Sequence, residues 1–524
     1  MAQITTSLRD IQNQTGLSEE DILQTLPLLG VPTNRADKDE LHLEITPNRP
    51  DMLSSEGISR ALNLYFGKPP NTYVAEEGLA GELIIDTSVR RVRPFIAMAR
   101  VDGVSLDDYS IKSIIQIQEK LHETLGRKRK KVAIGIHNAD AVKPPYKYFA
   151  CSPEAVSFVP LDMHSPMTPK QILHEHPKGI EYRHLVGRKC PLITDADENV
   201  LSFPPIINGE LTRVSENTKN LLIDVTGTSK DAVHATLNIL VCMLADRGGK
   251  IKKIKCGKEL TPNLTPHIKK FSIKRCERLL GIKFTESQIK DYLLKMGYSL
   301  AGPSAVLVPP YRADIMHEVD IYEDIAIAHG YDNFTPTLPQ LSTTGSSKDE
   351  HPANAILVGA GFLEIKSWLL TSPHELSLCG IDARGVKIKN PLTEDFTTFR
   401  PSLIPGLLRV FSESKNERLP QKIYEIGTVS VPEEKEKLCV AILSHNASFS
   451  KIKSVLELLM RESNKTYTLK KEEGVAGTTF IEGRCATINL LGKSVGRIGE
   501  IHPQVLENLS IEHPVALFEI DADF

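Results

Sequence analysis

The 524-residue chain has one tryptophan, is 6% aromatic, and has eight cysteines with no CxxC pair among them. Cys151, Cys190, Cys242, Cys256, Cys276, Cys379, Cys439 and Cys485 are scattered, which argues against a zinc ribbon or a disulfide framework and for reduced thiols in the cytoplasm. Long apolar runs are missing too. Nothing approaches the roughly 20 apolar residues of a membrane span, and the opening MAQITTSLRDIQNQTG is polar where a signal peptide needs an apolar core. GxSxG, HExxH, the P-loop lysine motif and GxGxxG are absent, which removes the simplest support for serine hydrolases, zincins, P-loop NTPases and Rossmann dehydrogenases. No solenoid-period repeat or heptad run occurs. Neither sign of charge dominates: 63 Lys and Arg face 66 Asp and Glu, a net charge of -3, so any nucleic-acid surface must be local.

What is present is an ordinary globular balance, 41% hydrophobic and 25% charged, over a length that suggests three or four domains. Residues 1–66 read as two helices, one beginning at a Ser18 cap (SEEDILQTLPLLG) and one ending near Gly67 (ISRALNLYFG). Between them Leu41, Leu43 and Ile45 alternate like a strand that the Pro47–Asp51 cluster breaks. To about residue 250, strand-like ELIID, FIAMARVDGV, VAIGIHN, VSFVPL and CPLITD alternate with helix candidates such as SIKSIIQIQEKLHETLG, an α+β pattern. A Lys-rich stretch and two TP turns mark a boundary near 250–270. Two helices, an extended segment and a third helix follow within about 70 residues, the scale of a helix-turn-helix-like module. From about 350, a helix (HPANAILVGAGF) leads into strand-like KSWLL, VKIKN, QKIYEIGTVSV, KLCVAIL, CATINLL and VALFEID, an antiparallel sheet with helices on one side.

Two constellations have chemical potential. Asp320, Glu323 and Asp324 stand at i, i+3 and i+4 of one helix, with Asp314 just before it. Four carboxylates suit a hard cation such as Mg²⁺; equally, they suit a solvated acidic face pairing with Arg312 or a partner's basic residues. In SFPPIINGELTRVSENTKNLLIDVTGT, alternation puts Asp224 and Thr226 on one side of a strand, with Ser202 before a Pro-Pro turn. Such a set can orient a water and bind an amino-acid head group, or merely serve a turn. His174 and His176 lack a third metal ligand and read as surface residues, and DADEN at 195–199 reads as a strand-to-strand turn. The run Arg127–Lys131 suits either RNA phosphates or a solvated loop.

Six long segments in order carry a resemblance: LEITPNRPDMLSSEGISRAL, QEKLHETLGRKRKKVAIGIHN, ILHEHPKGIEYRHL, the Ser202–Thr228 segment, VPPYRADIMHEVDIYEDIAIAHGYDNF and NPLTEDFTTFRPSLIPGLLRVFSESKNERLPQKIYEIG. Together they resemble the β subunit of phenylalanyl-tRNA synthetase, in its shorter archaeal and eukaryotic-cytosolic form. The resemblance implies a multidomain α+β chain. It comprises a small N-terminal domain (1–80), an α+β editing domain (81–265), a helix-turn-helix-like Mg²⁺-binding module (266–342) and a class II synthetase-like antiparallel domain without catalytic motifs (343–524). It further implies an (αβ)₂ heterotetramer whose α subunit uses ATP to charge tRNA(Phe), with Mg²⁺ at Asp314, Asp320, Glu323 and Asp324. The editing domain is expected to hydrolyse tyrosyl-tRNA(Phe) with Ser202, Asp224 and Thr226, and Leu192 is a weaker candidate for its pocket wall. A hydrophobic synthetic site rejects an added hydroxyl poorly, so a second sieve has a physical purpose. A structural, tRNA-positioning subunit without editing and a free-standing editing hydrolase are the alternatives.

Overall fold

The computed structural model describes residues 2–338, 345, 350–471 and 479–523. It divides into two compact units, 1–338 and 339–524.

The first unit opens with β1 (Ala2–Ser7), α1 (Leu8–Thr15), α2 (Glu19–Leu28), β2 (Thr33–Arg35), β3 (Glu40–Ile45) and α3 (Ser55–Tyr65). The side chains of Ser7, Ser18 and Ser54 each accept a backbone N–H and start a helix, as the sequence predicts for Ser18. Strand β1 and helix α1 are not among the sequence expectations. The opening is polar, yet Ile4 and Thr6 alternate inward and β1 pairs antiparallel with β3 along its whole length.

The chain then builds one ten-stranded sheet from β4 (Glu76–Ile85), β5 (Phe95–Asp102), β6 (Val132–Asn138), β7 (Tyr146–Cys151), β8 (Cys190–Thr194), β9 (Val200–Phe203), β10 (Ile207–Asn208), β11 (Asn220–Gly227), β12 (Lys250–Cys256) and β13 (Glu259–Thr261). Its order is β10-β9-β8-β7-β4-β12-β5-β11-β6, with β13 on β12; β4 runs parallel to β7 and to β12, and the other pairs are antiparallel. The end strands approach one another. Asn208 on β10 donates from Nδ2 to the Ile136 carbonyl on β6 at 3.4 Å, so the sheet is a nearly closed barrel. Helix α4 (Asp108–Glu123) overlaps the predicted helix, starting two residues earlier and ending three earlier, and α5 (Pro169–Glu175), α6 (Pro177–Tyr182) and the long apolar α7 (Lys230–Asp246) complete this part. Ala97, Ala99, Ile223 and Val225 share a core with Val233, Leu237 and Leu240 of α7. Leu222 and Met98, one residue out of phase, belong to a second core on the other face. The expected strand VSFVPL makes only isolated bridges at Phe158 and Pro160, since proline cannot donate to a ladder.

Strand β14 (His267–Lys270), helices α8 (Ile273–Leu280) and α9 (Glu286–Lys295), the hairpin β15 (Ser299–Gly302) and β16 (Ala305–Val308), and α10 (Glu318–His329) end the unit.

In the second unit, α11 (Pro352–Gly359) falls where expected, and α12 (Pro373–Leu378) follows. A seven-stranded sheet is made by β17 (Leu363–Glu364), β20 (Gln421–Val431), β21 (Glu433–Leu443), β22 (Tyr467–Lys471), β23 (Phe480–Leu490), β24 (Lys493–Ile501) and β25 (Val515–Asp521), in the order β17-β20-β21-β25-β24-β23-β22. A short pair, β18 (Leu370–Thr371) and β19 (Thr398–Phe399), lies apart from it in the chain's pairing pattern. Expected strands KSWLL and VKIKN thus shrink to the two residues of β18 and a single bridge at Lys387. Helices cover both faces, not one. Leu438, Val440 and Ile442 pack with α11 and with α14 (Phe449–Glu462). Cys439, Ala441 and Leu443 pack with α13 (Ile404–Glu413). The unbroken apolar run Leu438–Leu443 is the signature of a strand buried on both sides.

Candidate functional site

Asp320 closes the N-terminus of α10: its Oδ2 accepts the N–H groups of Met316 (2.7 Å) and His317 (2.6 Å), in a capping box with His317. Arg312 is buried and donates from Nη2 to Oδ2 of Asp314 (2.7 Å) and of Asp324 (2.7 Å); Tyr298 adds a 2.5 Å bond to Asp324. Glu323 is exposed and makes no hydrogen bond or ion pair among the described residues. The donors are all hard oxygens, which suits Mg²⁺ in kind. They do not converge on one point, however: a guanidinium already stands between Asp314 and Asp324, and among the described residues no group of three or more His, Cys, Asp or Glu is arranged to hold a metal ion.

The second constellation does come together. At the seam between β6 and β10 lies a cavity of ≈ 510 Å³ lined by Ser202, Asp224 and Thr226, with α4 and the turn 203–214 forming its walls. Its floor is a buried chain of polar groups. Asp224 Oδ2 is 2.8 Å from His137 Nε2, and His137 Nδ1 is 2.8 Å from Thr212 Oγ1. The imidazole thus bridges the Thr212 hydroxyl, which also donates to the Gly209 carbonyl at 3.1 Å, and the Asp224 carboxylate, which is 1% exposed. Strand register dictates this meeting. Asp224 lies opposite Gly135 across the β11–β6 pair, and a Cβ on Gly135 would sit 2.0 Å from Asp224 Oδ2 and 2.7 Å from His137 Nε2. Only glycine leaves room for the carboxylate.

Thr226 is held by Arg93, whose Nε donates to Thr226 Oγ1 (2.9 Å) and whose Nη2 donates to the Thr226 carbonyl (2.8 Å). Burial pushes this guanidinium down to about 10, against the opposing influence of Tyr148 and Asp224. On the opposite wall Arg129 donates to the Ile206 carbonyl (2.9 Å) and to Glu119 Oε1 (2.7 Å). Burial works against the Glu119 carboxylate, yet hydrogen bonding from His122 and the charge of Arg129 hold it down at about 2.

Sequence reasoning therefore finds Ser202, Asp224 and Thr226 at one cavity and misses Arg93, Gly135, His137 and Thr212. Three expectations need correction. Leu192 does not line the cavity; it shares a face of β8 with Cys190 and packs among Phe158, Ile172 and Phe203. Arg129 is not part of a solvated loop but turns inward, because the carbonyls after the Pro204–Pro205 turn need donors. His176 is not a surface residue: it is buried, caps α6 by accepting the Lys178 N–H at 3.2 Å, and lines the cavity, while His174 stays exposed. The 195–199 segment is the expected turn, with Asp195 Oδ1 accepting the N–H groups of Asp197 and Asn199. Cys151, Cys190, Cys242, Cys256, Cys276, Cys379 and Cys439 are free thiols. No helix among the described residues is long and apolar enough to cross a membrane.

Residues 335–522 match the family model for the phenylalanyl tRNA synthetase beta chain CLM domain, and residues 269–331 match the tRNA synthetase B5 domain. Over 99% of its length the chain is 39% identical to the phenylalanine–tRNA ligase beta subunit of Archaeoglobus fulgidus, 98% of which is covered. The chain belongs to the phenylalanine–tRNA ligase β-subunit family. Another family member, from Methanocaldococcus jannaschii, is 39% identical over 97% of each chain. Among solved structures, an N-terminal fragment of the phenylalanyl-tRNA synthetase beta subunit from Pyrococcus horikoshii matches with a TM-score of 0.59 at 34% identity, covering 63% of this chain and 99% of the fragment. The acidic helix α10 lies within the B5 match, and the seven-stranded sheet within the CLM match.

Proposed function

We propose that this ligase β subunit removes tyrosine wrongly esterified to tRNA(Phe), and that the reaction takes place in the cavity between β6 and β10. The observation that carries the reading is the buried Asp224–His137–Thr212 chain at the floor of that cavity. A buried carboxyl group on the cavity wall is a partner for the ammonium group of an aminoacyl ester, or a holder of the attacking water. Ser202 and Thr226 supply hydroxyls on the same walls, and the volume falls in the range of ordinary ligand sites. In the complex with the α subunit, Asp224→Ala is expected to slow tyrosyl-tRNA(Phe) deacylation by on the order of 10²-fold and to leave phenylalanine charging intact. Deacylation at the wild-type rate would assign the subunit a structural, tRNA-positioning role instead.

The wider reading assigns 1–80 to an N-terminal domain, 81–265 to the hydrolytic domain, 266–342 to a helix-turn-helix-like module and 343–524 to a class II synthetase-like domain without catalytic motifs. In an (αβ)₂ assembly the α subunit would use ATP and charge the tRNA. The second unit exposes the apolar side chains of Leu363 and Trp368, and Trp368 lies with Phe396 at 6.3 Å between ring centroids, a patch that suits an obligate partner. Trp368→Arg is expected to abolish co-purification with α; an undiminished complex would move the interface elsewhere.

Magnesium at Asp314, Asp320, Glu323 and Asp324 belongs to the same proposal and rests on the family and on the donor chemistry alone. If the ion binds, addition of Mg²⁺ raises the melting temperature of the complex, chelator lowers it, and Asp320→Asn with Glu323→Gln removes the response. A melting temperature indifferent to Mg²⁺ would leave Asp314 and Asp324 to their pairing with Arg312.

A further inference from the structure

Next to the cavity the backbone does something that L residues resist. Arg127, Lys128 and Arg129 have φ of 47°, 53° and 64°, three successive non-glycine residues in the left-handed region. Such a turn persists only where its surroundings fix it. Here Arg129 N–H donates to the His122 carbonyl (3.2 Å) and Lys131 N–H to the Gly126 carbonyl (2.8 Å). Beneath them the buried Arg93 donates to the carbonyls of Arg129 (3.3 Å) and Lys130 (3.4 Å) while also holding Thr226. The Arg129 side chain is drawn inward onto the cavity wall, where its guanidinium also stacks over the Tyr182 ring at 4.6 Å.

The outcome is a rigid platform with its charges outside. Arg127, Lys128 and Lys130 are exposed, and their side chains make no hydrogen bond or ion pair among the described residues. Arg129 between them and Ala133 just beyond line the cavity, as does Lys178 on α6. Exposed cations without partners, on a turn whose Arg129 lines the cavity, match a polyanion whose end enters that site. We propose that the left-handed turn 127–131 docks the phosphates of the tRNA 3′ strand as its terminal ester enters the cavity. This rests on the hydrolytic reading above. Arg93 ties the platform to Thr226, so phosphate docking and the reacting end share one support.

The test uses the complex with the α subunit and replaces the three charges together, Arg127→Gln, Lys128→Gln and Lys130→Gln. Two substrates are compared: tyrosyl-tRNA(Phe) and 2′(3′)-O-tyrosyl-adenosine, which has no phosphate. The expected result is a KM for tyrosyl-tRNA raised about 10- to 100-fold with kcat kept, a dependence of log(kcat/KM) on log salt shallower by about 2, and unchanged hydrolysis of tyrosyl-adenosine. Equal loss on both substrates, or no loss on either, would overturn the proposal. Should wild type hydrolyse neither substrate, the hydrolytic reading fails by itself. Docking is then decided by photo-crosslinking tRNA that carries a reactive group in its 3′ strand: a crosslink to 127–131 that the triple variant loses supports it, and none overturns it.

Discussion

Gly135→Ala is expected to lower hydrolysis of tyrosyl-tRNA(Phe) by on the order of 10²-fold, the effect of an ångström-scale misplacement of a reacting group, in a complex that still charges phenylalanine. The added methyl carries no charge and touches no substrate-binding side chain except through Asp224. Its position, 2.0 Å from Oδ2 and 2.9 Å from Cγ of Asp224 and 2.7 Å from His137 Nε2, is too close for the two side chains to stay where they bond. The carboxylate must leave its place, which orphans Nε2 of a fully buried imidazole and costs roughly 1–3 kcal/mol of stability. That is small enough for the fold to survive. Deacylation rates of wild type, Gly135→Ala and Asp224→Ala measured side by side decide it. An alanine variant that deacylates like wild type would mean that Asp224 need not sit against β6, and the proposed site would fall with it.

The sequence foretold the Asp224 side of this contact but not the Gly135 side, and the reason is local. Asp224 and Thr226 stand out as polar residues in an apolar strand, and period-two alternation alone puts them on one face. Their partner strand, VAIGIHN, reads as ordinary core. The available signal is its own alternation, in which Ala133, Gly135 and His137 share one face and the bulky Ile134 and Ile136 the other. A face that shrinks from methyl to hydrogen and ends in imidazole is making room for something. Thr212 lies 75 residues from His137 and Arg93 lies 133 from Thr226, separations that only the strand order bridges. The acidic helix is legible in its spacing but not in its contacts. The i, i+3, i+4 spacing is correct, but spacing does not say that Asp320 caps the helix or that Asp324 turns to Arg312. Apolar strands with both faces buried, as in the second unit, are legible as runs; which helices cover them is not.

Asp51→Ala is expected to loosen the first unit by about 3–5 kcal/mol at pH 7, the cost of breaking a buried ion pair by removing one partner. Arg49 grips the Asp51 carboxylate with two 2.9 Å bonds. Arg60 lies 3.9 Å from it and reaches on to Asp246 of α7 at 2.6 Å, with its guanidinium over the Tyr311 ring at 3.9 Å. One network thus joins the 50–52 turn, α3, α7 and the segment before α10, within a core that runs from Ile4 to Ala328. Burial raises the Asp51 carboxyl, but the charge and hydrogen bonds of Arg49, with Arg312 and Arg60 behind it, overcome burial and hold it below the usual range. A native value below the unfolded one of about 4 gives stabilisation that is complete above that pH and is lost as pH falls through the native value. Wild type and variant should therefore differ at pH 7 and converge in acid. Hydrogen exchange reads this directly: α3 and α7 amides of Asp51→Ala should lose protection by about 10²- to 4 × 10³-fold at pH 7, at 1.4 kcal/mol per tenfold, with a smaller gap at pH 3. A gap that stays constant with pH would assign the loss to packing around the 50–52 turn and remove the charge from the account.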